Sequence, residues 1–111
     1  MNQLTTHILD TSNGKPAEGI TIVFYHGGND TWTEITRDKT DADGRASEMQ
    51  TGSKLEEGIY KLRFETKDYF DRLHTATLYP YVEIVFEINT PDHYHIPLLL
   101  NPYGYSTYRG S

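Results

Sequence analysis

Ile59-Tyr60-Lys61-Leu62-Arg63-Phe64-Glu65-Thr66 decides the fold class. Apolar and charged side chains alternate along it. Tyr60, Leu62 and Phe64 share one face, and Lys61, Arg63 and Glu65 share the other. Period two belongs to a half-buried strand, because successive Cβ atoms point to opposite sides of a sheet. Residues 82–88 repeat the pattern, with Val82, Ile84, Phe86 and Ile88 on one face. Outward from these two segments, β-prone runs cover 4–10, 19–25, 32–40, 93–100 and 103–108, with a short strand or loop from Arg45. Turn signals separate them: Asn13-Gly14 with Pro16, Gly27-Gly28-Asn29-Asp30, Asp41-Ala42-Asp43-Gly44 and Asn101-Pro102. One helix is expected over 67–75, burying Tyr69, Phe70 and Leu73. Seven or eight strands in 111 residues imply one all-β domain, a sandwich or barrel, spanning residues 1–111.

Composition narrows the partners. The formal net charge is -6, and no run of like charges exceeds two. An acidic surface is repelled by nucleic-acid phosphates and by anionic membranes, so neither is an expected partner. An anionic ligand would need a local cationic group acting against the overall field. Cysteine is absent, which points to a reducing compartment. Residues 1–9 lack the basic-then-apolar pattern of a signal peptide, no stretch approaches a membrane span, and Arg109-Gly110-Ser111 is not a peroxisomal tripeptide. The expectation is a cytoplasmic protein.

Period two also sorts the polar residues. With Ile8 facing the core, His7 shares the outer face with Thr5 and Leu9. With Tyr94, Ile96, Leu98 and Leu100 in the core, His93, His95, Pro97 and Leu99 lie outside. Ser106 and Tyr108 share a face near the C-terminus, with Thr107 and Arg109 opposite. If the terminal strands pair, one outer face presents His7, His95, Ser106 and Tyr108 together. That face also carries Leu9, Pro97 and Leu99, which suggests cover by a second copy of the chain.

Other motifs are weaker. His93-Tyr94-His95 has the spacing of two metal ligands on a strand, with His7 as a third, but no carboxylate lies in that segment. A calcium loop at Asp41-Ala42-Asp43-Gly44 would put Lys39 first and Gln50 twelfth, and neither is a carboxylate, so that segment is a turn. Gly14-Lys15 lacks the rest of a phosphate loop, and Ser106 and Ser111 have no nucleophile motif around them. The tail, Tyr103 through Ser111, is hydroxyl-rich and β-prone almost to its end.

Three segments together resemble the 5-hydroxyisourate hydrolases, the transthyretin-related enzymes of urate breakdown. They are His7-Ile8-Leu9-Asp10 with Gly14-Lys15-Pro16-Ala17; Thr40-Asp41-Ala42-Asp43-Gly44-Arg45; and His93-Tyr94-His95-Ile96-Pro97-Leu98-Leu99-Leu100 running through Asn101-Pro102-Tyr103-Gly104-Tyr105-Ser106-Thr107 to Tyr108-Arg109-Gly110-Ser111. The terminal tetrapeptide is the most specific element. Residues 25–32 are less typical, and Leu78-Tyr79-Pro80 stands where the family more often has two phenylalanines before the proline.

The resemblance implies a transthyretin-like sandwich of two four-stranded sheets with one short helix. It implies a homotetramer, a dimer of dimers, with sites in a channel between dimers. It assigns catalysis to His7, Arg45, His95, Tyr108 and Ser111, with His7, Arg45 and Tyr108 binding substrate. The implied reaction opens the six-membered ring of 5-hydroxyisourate to 2-oxo-4-hydroxy-4-carboxy-5-ureidoimidazoline, without metal or cofactor. Transthyretin itself lacks these histidines, the arginine and the Tyr-Arg-Gly-Ser end. Either histidine suits proton transfer near neutrality. Two other classes remain at this level: a metal hydrolase using His7, His93 and His95, and a non-catalytic carrier of small aromatic ligands.

Overall fold

The computed structural model describes residues 3–46, 49 and 54–110. Eight strands and one helix follow in the order β1 (Leu4–Asp10), β2 (Lys15–Pro16), β3 (Thr21–Gly28), β4 (Thr31–Lys39), β5 (Gly58–Phe64), α1 (Thr66–Arg72), β6 (Val82–Ile88), β7 (Tyr94–Asn101) and β8 (Gly104–Thr107). They form two four-stranded sheets, β2-β1-β7-β8 and β4-β3-β5-β6. The core lies between them. Leu4, Ile8, Ile96, Leu98 and Leu100 from the first sheet meet Ile22, Phe24, Tyr60, Leu62, Phe64, Val82 and Ile88 from the second. Phe24 and Tyr60 stack within it, and the partly buried Phe86 stacks on both rings from its edge.

Local chemistry explains the departures from the expected boundaries. The β3–β4 strands run up to Gly28 and Thr31, so Gly27-Gly28 is strand and not turn. The turn is Asn29-Asp30, both at positive φ (49° and 65°), as a two-residue hairpin loop matched to sheet twist requires. Gly27 instead clears room for the Trp32 ring. The short β2, which alternation did not reveal, pairs with Leu9 and Asp10.

Thr66 begins the helix instead of ending a strand. The helix stops at Arg72, where His74 enters the left-handed region (φ 55°), and Leu73 is left exposed. Only Tyr69 and Phe70 of the expected apolar trio are buried. Tyr69 also donates its hydroxyl to Asp10 Oδ2 at 2.7 Å, which ties α1 to β1 and satisfies a buried carboxylate.

Lys61 sits on the outward face of β5 as expected, yet it is buried. Register sets it beside Tyr25. Its ammonium lies over the Tyr25 and Trp32 rings, 4.8 and 4.6 Å from their centroids, and reaches Glu83 Oε2 at 3.2 Å. Two rings and a carboxylate offset the loss of water around the charge.

Candidate active site

Strand register assembles the site. β1 and β7 run parallel, with Thr5 beside His95, His7 beside Pro97 and Leu9 beside Leu99. Neighbours in register share a sheet face. On the far side of β7, β8 sets Ser106 beside Leu99, and a single bridge joins His95 to Gly110. The same register therefore carries Tyr108 opposite Pro97. On the near side of β1, a single bridge joins His7 to Arg45. One row thus crosses the outer face as Arg45, His7, Pro97 and Tyr108, at about 4.8 Å per strand. The row on one side of it is Thr5, His95 and Gly110, and the row on the other side is Leu9, Leu99 and Ser106.

The first and last strands do not pair directly; β7 lies between them. A parallel β1–β7 contact needs a long crossover, which no local turn signal announces. The shared outer face is present all the same, with His7, His95, Ser106 and Tyr108 on it. Arg45 joins from its turn, and Tyr108 is 57% exposed. Ser111 lies outside the described residues.

Two glycines set how closely the chain approaches the histidines. At Gly44 (φ 75°) a Cβ would meet the Ile8 carbonyl oxygen at 2.5 Å and His7 Cδ2 at 3.3 Å. Only glycine lets this turn lie against β1, where Ile8 N donates to Gly44 O at 2.9 Å. Asp41 closes the turn by accepting from the backbone N–H groups of Asp43 and Arg45, which holds Arg45 in line with His7. At Gly110 a Cβ would come within 2.5 Å of His95 Cδ2, so the tail crosses directly against that ring.

Thr5 carries no motif and escaped the sequence-level assignment of roles, and it joins His93, read there only as a candidate metal ligand. Thr5 Oγ1 lies 2.8 Å from His95 Nδ1 and 3.0 Å from His93 Nε2. Alternation sets Thr5 on the outer face, but only the parallel register brings it beside His95. His93 and His95 each direct one ring nitrogen to this hydroxyl. Among the described residues, no three His, Asp, Glu or Cys side chains are grouped as a metal ion would require.

Burial holds the His95 imidazole below its ordinary pKa of 6.5. The charges of Arg45, His93 and His7 push the same way, outweighing a hydrogen bond with the Thr5 backbone. The face therefore combines a neutral imidazole, a second imidazole, a guanidinium and a phenol. A neutral imidazole accepts a proton near pH 7, and a planar guanidinium donates to two adjacent oxygens or nitrogens.

A family model described as "HIUase/Transthyretin family" matches residues 4–110. The chain belongs to this family. Within it, the chain is 46% identical to a probable 5-hydroxyisourate hydrolase of Schizosaccharomyces pombe, over 97% of this chain and 90% of that one. The solved 5-hydroxyisourate hydrolase of Klebsiella pneumoniae superposes with a TM-score of 0.87 at 39% identity, covering 100% of this chain and 94% of that one. Transthyretin from Sparus aurata superposes with a TM-score of 0.92 at 29% identity, covering 99% and 97%. Backbone shape is thus shared by both branches of the HIUase/transthyretin family. Identity is higher toward the two hydrolases.

Proposed function

We propose that the chain hydrolyses 5-hydroxyisourate, opening its six-membered ring in urate degradation. The observation that carries this is the row Arg45–His7–Pro97–Tyr108 with His95 beside it: a base, a guanidinium, a second imidazole and a hydroxyl on one sheet face. The named hydrolases similar to the chain support the same substrate.

His95 is the general base, because burial and the charge of Arg45 keep it neutral. It takes a proton from water as the water oxygen bonds to a ring carbonyl carbon. Arg45 and His7 bind the substrate and stabilise the oxyanion of the tetrahedral intermediate. Collapse breaks the ring C–N bond, the new imidazolium returns its proton to the leaving nitrogen, and the carboxylic acid formed releases its remaining proton to solvent as the carboxylate. Tyr108 donates to a ring oxygen. Arg45 supplies the local positive charge that an anionic substrate needs on a chain of net charge -6.

The reading extends to assembly. Leu9 and Leu99, both partly exposed, lie beside the buried Pro97 among these polar groups on the outer sheet face. We propose that four copies associate as a dimer of dimers with these faces turned inward. Closure would exclude water and strengthen the electrostatics of the site.

The test is the ultraviolet decay of freshly generated 5-hydroxyisourate, with and without prior chelation of the protein. Acceleration that survives chelation and falls about 10²–10⁴-fold in His95→Asn is the expected result. Ligand binding without acceleration would instead make the chain a carrier. Acceleration lost on chelation would make it a metal hydrolase.

A further inference from the structure

Resting on that reading, we propose that Thr5 is a positioning residue. Its hydroxyl bridges His93 and His95 and holds the His95 proton on Nδ1, leaving the outward Nε2 as the basic nitrogen.

The geometry begins with the His95 ring. Nδ1 and Cδ2 flank Cγ, and each meets a neighbouring strand. Nδ1 faces Thr5 Oγ1 on β1, and Cδ2 faces Gly110 in the tail. Both ring edges nearest the backbone are occupied, so Cε1 and Nε2 project from the sheet. Nε2 is the nitrogen that substrate or water meets.

Protons do the rest. A threonine hydroxyl has one hydrogen and two lone pairs. With imidazole nitrogens at 2.8 and 3.0 Å, it cannot donate to both. It therefore accepts from at least one ring, and the two tautomers are coupled. When Thr5 donates to His93 Nε2, His95 must donate from Nδ1, and its Nε2 keeps a lone pair. In the reverse polarity His95 Nε2 carries the hydrogen and is no base. The hydrogen bond with the Thr5 backbone, which favours a protonated ring, sets the hydrogen on the Nδ1 side that faces β1 and so favours the first arrangement. When Nε2 takes a proton from water, the Nδ1–H bond to Thr5 becomes charge-assisted and stronger, which favours the transition state over the ground state.

Nitrogen-15 NMR of the imidazoles reads the tautomer directly, and turnover is measured in parallel. Wild type is expected to show His95 Nδ1 protonated and Nε2 unprotonated at neutral pH. Thr5→Val should release this preference and lower kcat about 10- to 100-fold with KM nearly unchanged, whereas Thr5→Ser should restore both. His93→Phe removes the acceptor for the Thr5 hydroxyl, so His95 should shift toward Nε2–H. A protonated Nε2 in wild type, or a folded Thr5→Val with kcat within about twofold of wild type, would overturn the proposal. A wild-type chain with the expected tautomer but no turnover would uphold the bridge and overturn the hydrolase reading.

Discussion

At the scale of single residues, the charge state of His95 governs the site. Burial first, then Arg45, His93 and His7, lower its pKa below 6.5, while Thr5 opposes them. The neutral form therefore persists to lower pH in the folded chain than in the unfolded one. The sign follows. As pH falls through about 6.5 the unfolded chain takes up a proton that the folded chain still refuses, so stability declines until pH passes the lowered folded value. In an NMR titration of the folded protein, the His95 midpoint is expected below 6.5, and Arg45→Gln should move it upward by removing one of those charges. A wild-type midpoint at or above 6.5 would contradict this account of the base. The candidate residues His7, His95 and Tyr108 were legible as types and faces, because alternation sorts the sides of a strand, whereas Arg45 was legible only through the family resemblance. Thr5 was not, since a hydroxyl gains its role only from what register sets beside it.

At the scale of elements, β7 organises the site. It lies between β1 and β8, so it carries His95 and separates His7 from Tyr108 by one strand. The tail past β8 stays on β7. Thr107 Oγ1 donates to Pro97 O at 2.7 Å, and Gly110 N donates to His95 O at 2.8 Å. Arg109 crosses back over the Tyr94 ring, 4.2 Å from its centroid. Removing residues 108–111 takes away Tyr108 and the wall against which the His95 ring rests, but none of the buried core. Truncation at Thr107 is therefore expected to abolish turnover while leaving far-UV circular dichroism and a cooperative melt intact. Retained turnover would deny the tail its role. The limits of the elements were less legible than their existence. Helix α1 ends at Arg72 because the chain turns left-handed at His74, and β3 continues through two glycines because Trp32 packs on one of them.

At the scale of the whole molecule, most apolar residues of the two sheets enter the shared core, while Trp32, Ile35, Ile59 and Val85 of the second sheet stay exposed. The outer face of the β2-β1-β7-β8 sheet keeps Leu9, Pro97 and Leu99 among its functional groups. The proposed interface between copies would account for that placement and close the site from water. Analytical ultracentrifugation is expected to give four times the mass of one chain. Leu99→Arg, which sets a charge on this face, should dissociate that assembly and lower turnover together. A monomer with full turnover would remove the interface from the mechanism.

The sequence by itself determined the all-β class, the inner and outer faces of each long strand, and the residue types available for catalysis. These follow from local periodicity, which neighbours along the chain settle between themselves. Tertiary structure alone decided that β1 runs parallel beside β7, that Arg45 bridges to His7, and that the tail lies against His95. Each joins residues far apart in the chain, and nothing in a local pattern specifies a partner strand or its register. The burial that keeps His95 neutral arises only once those strands have met.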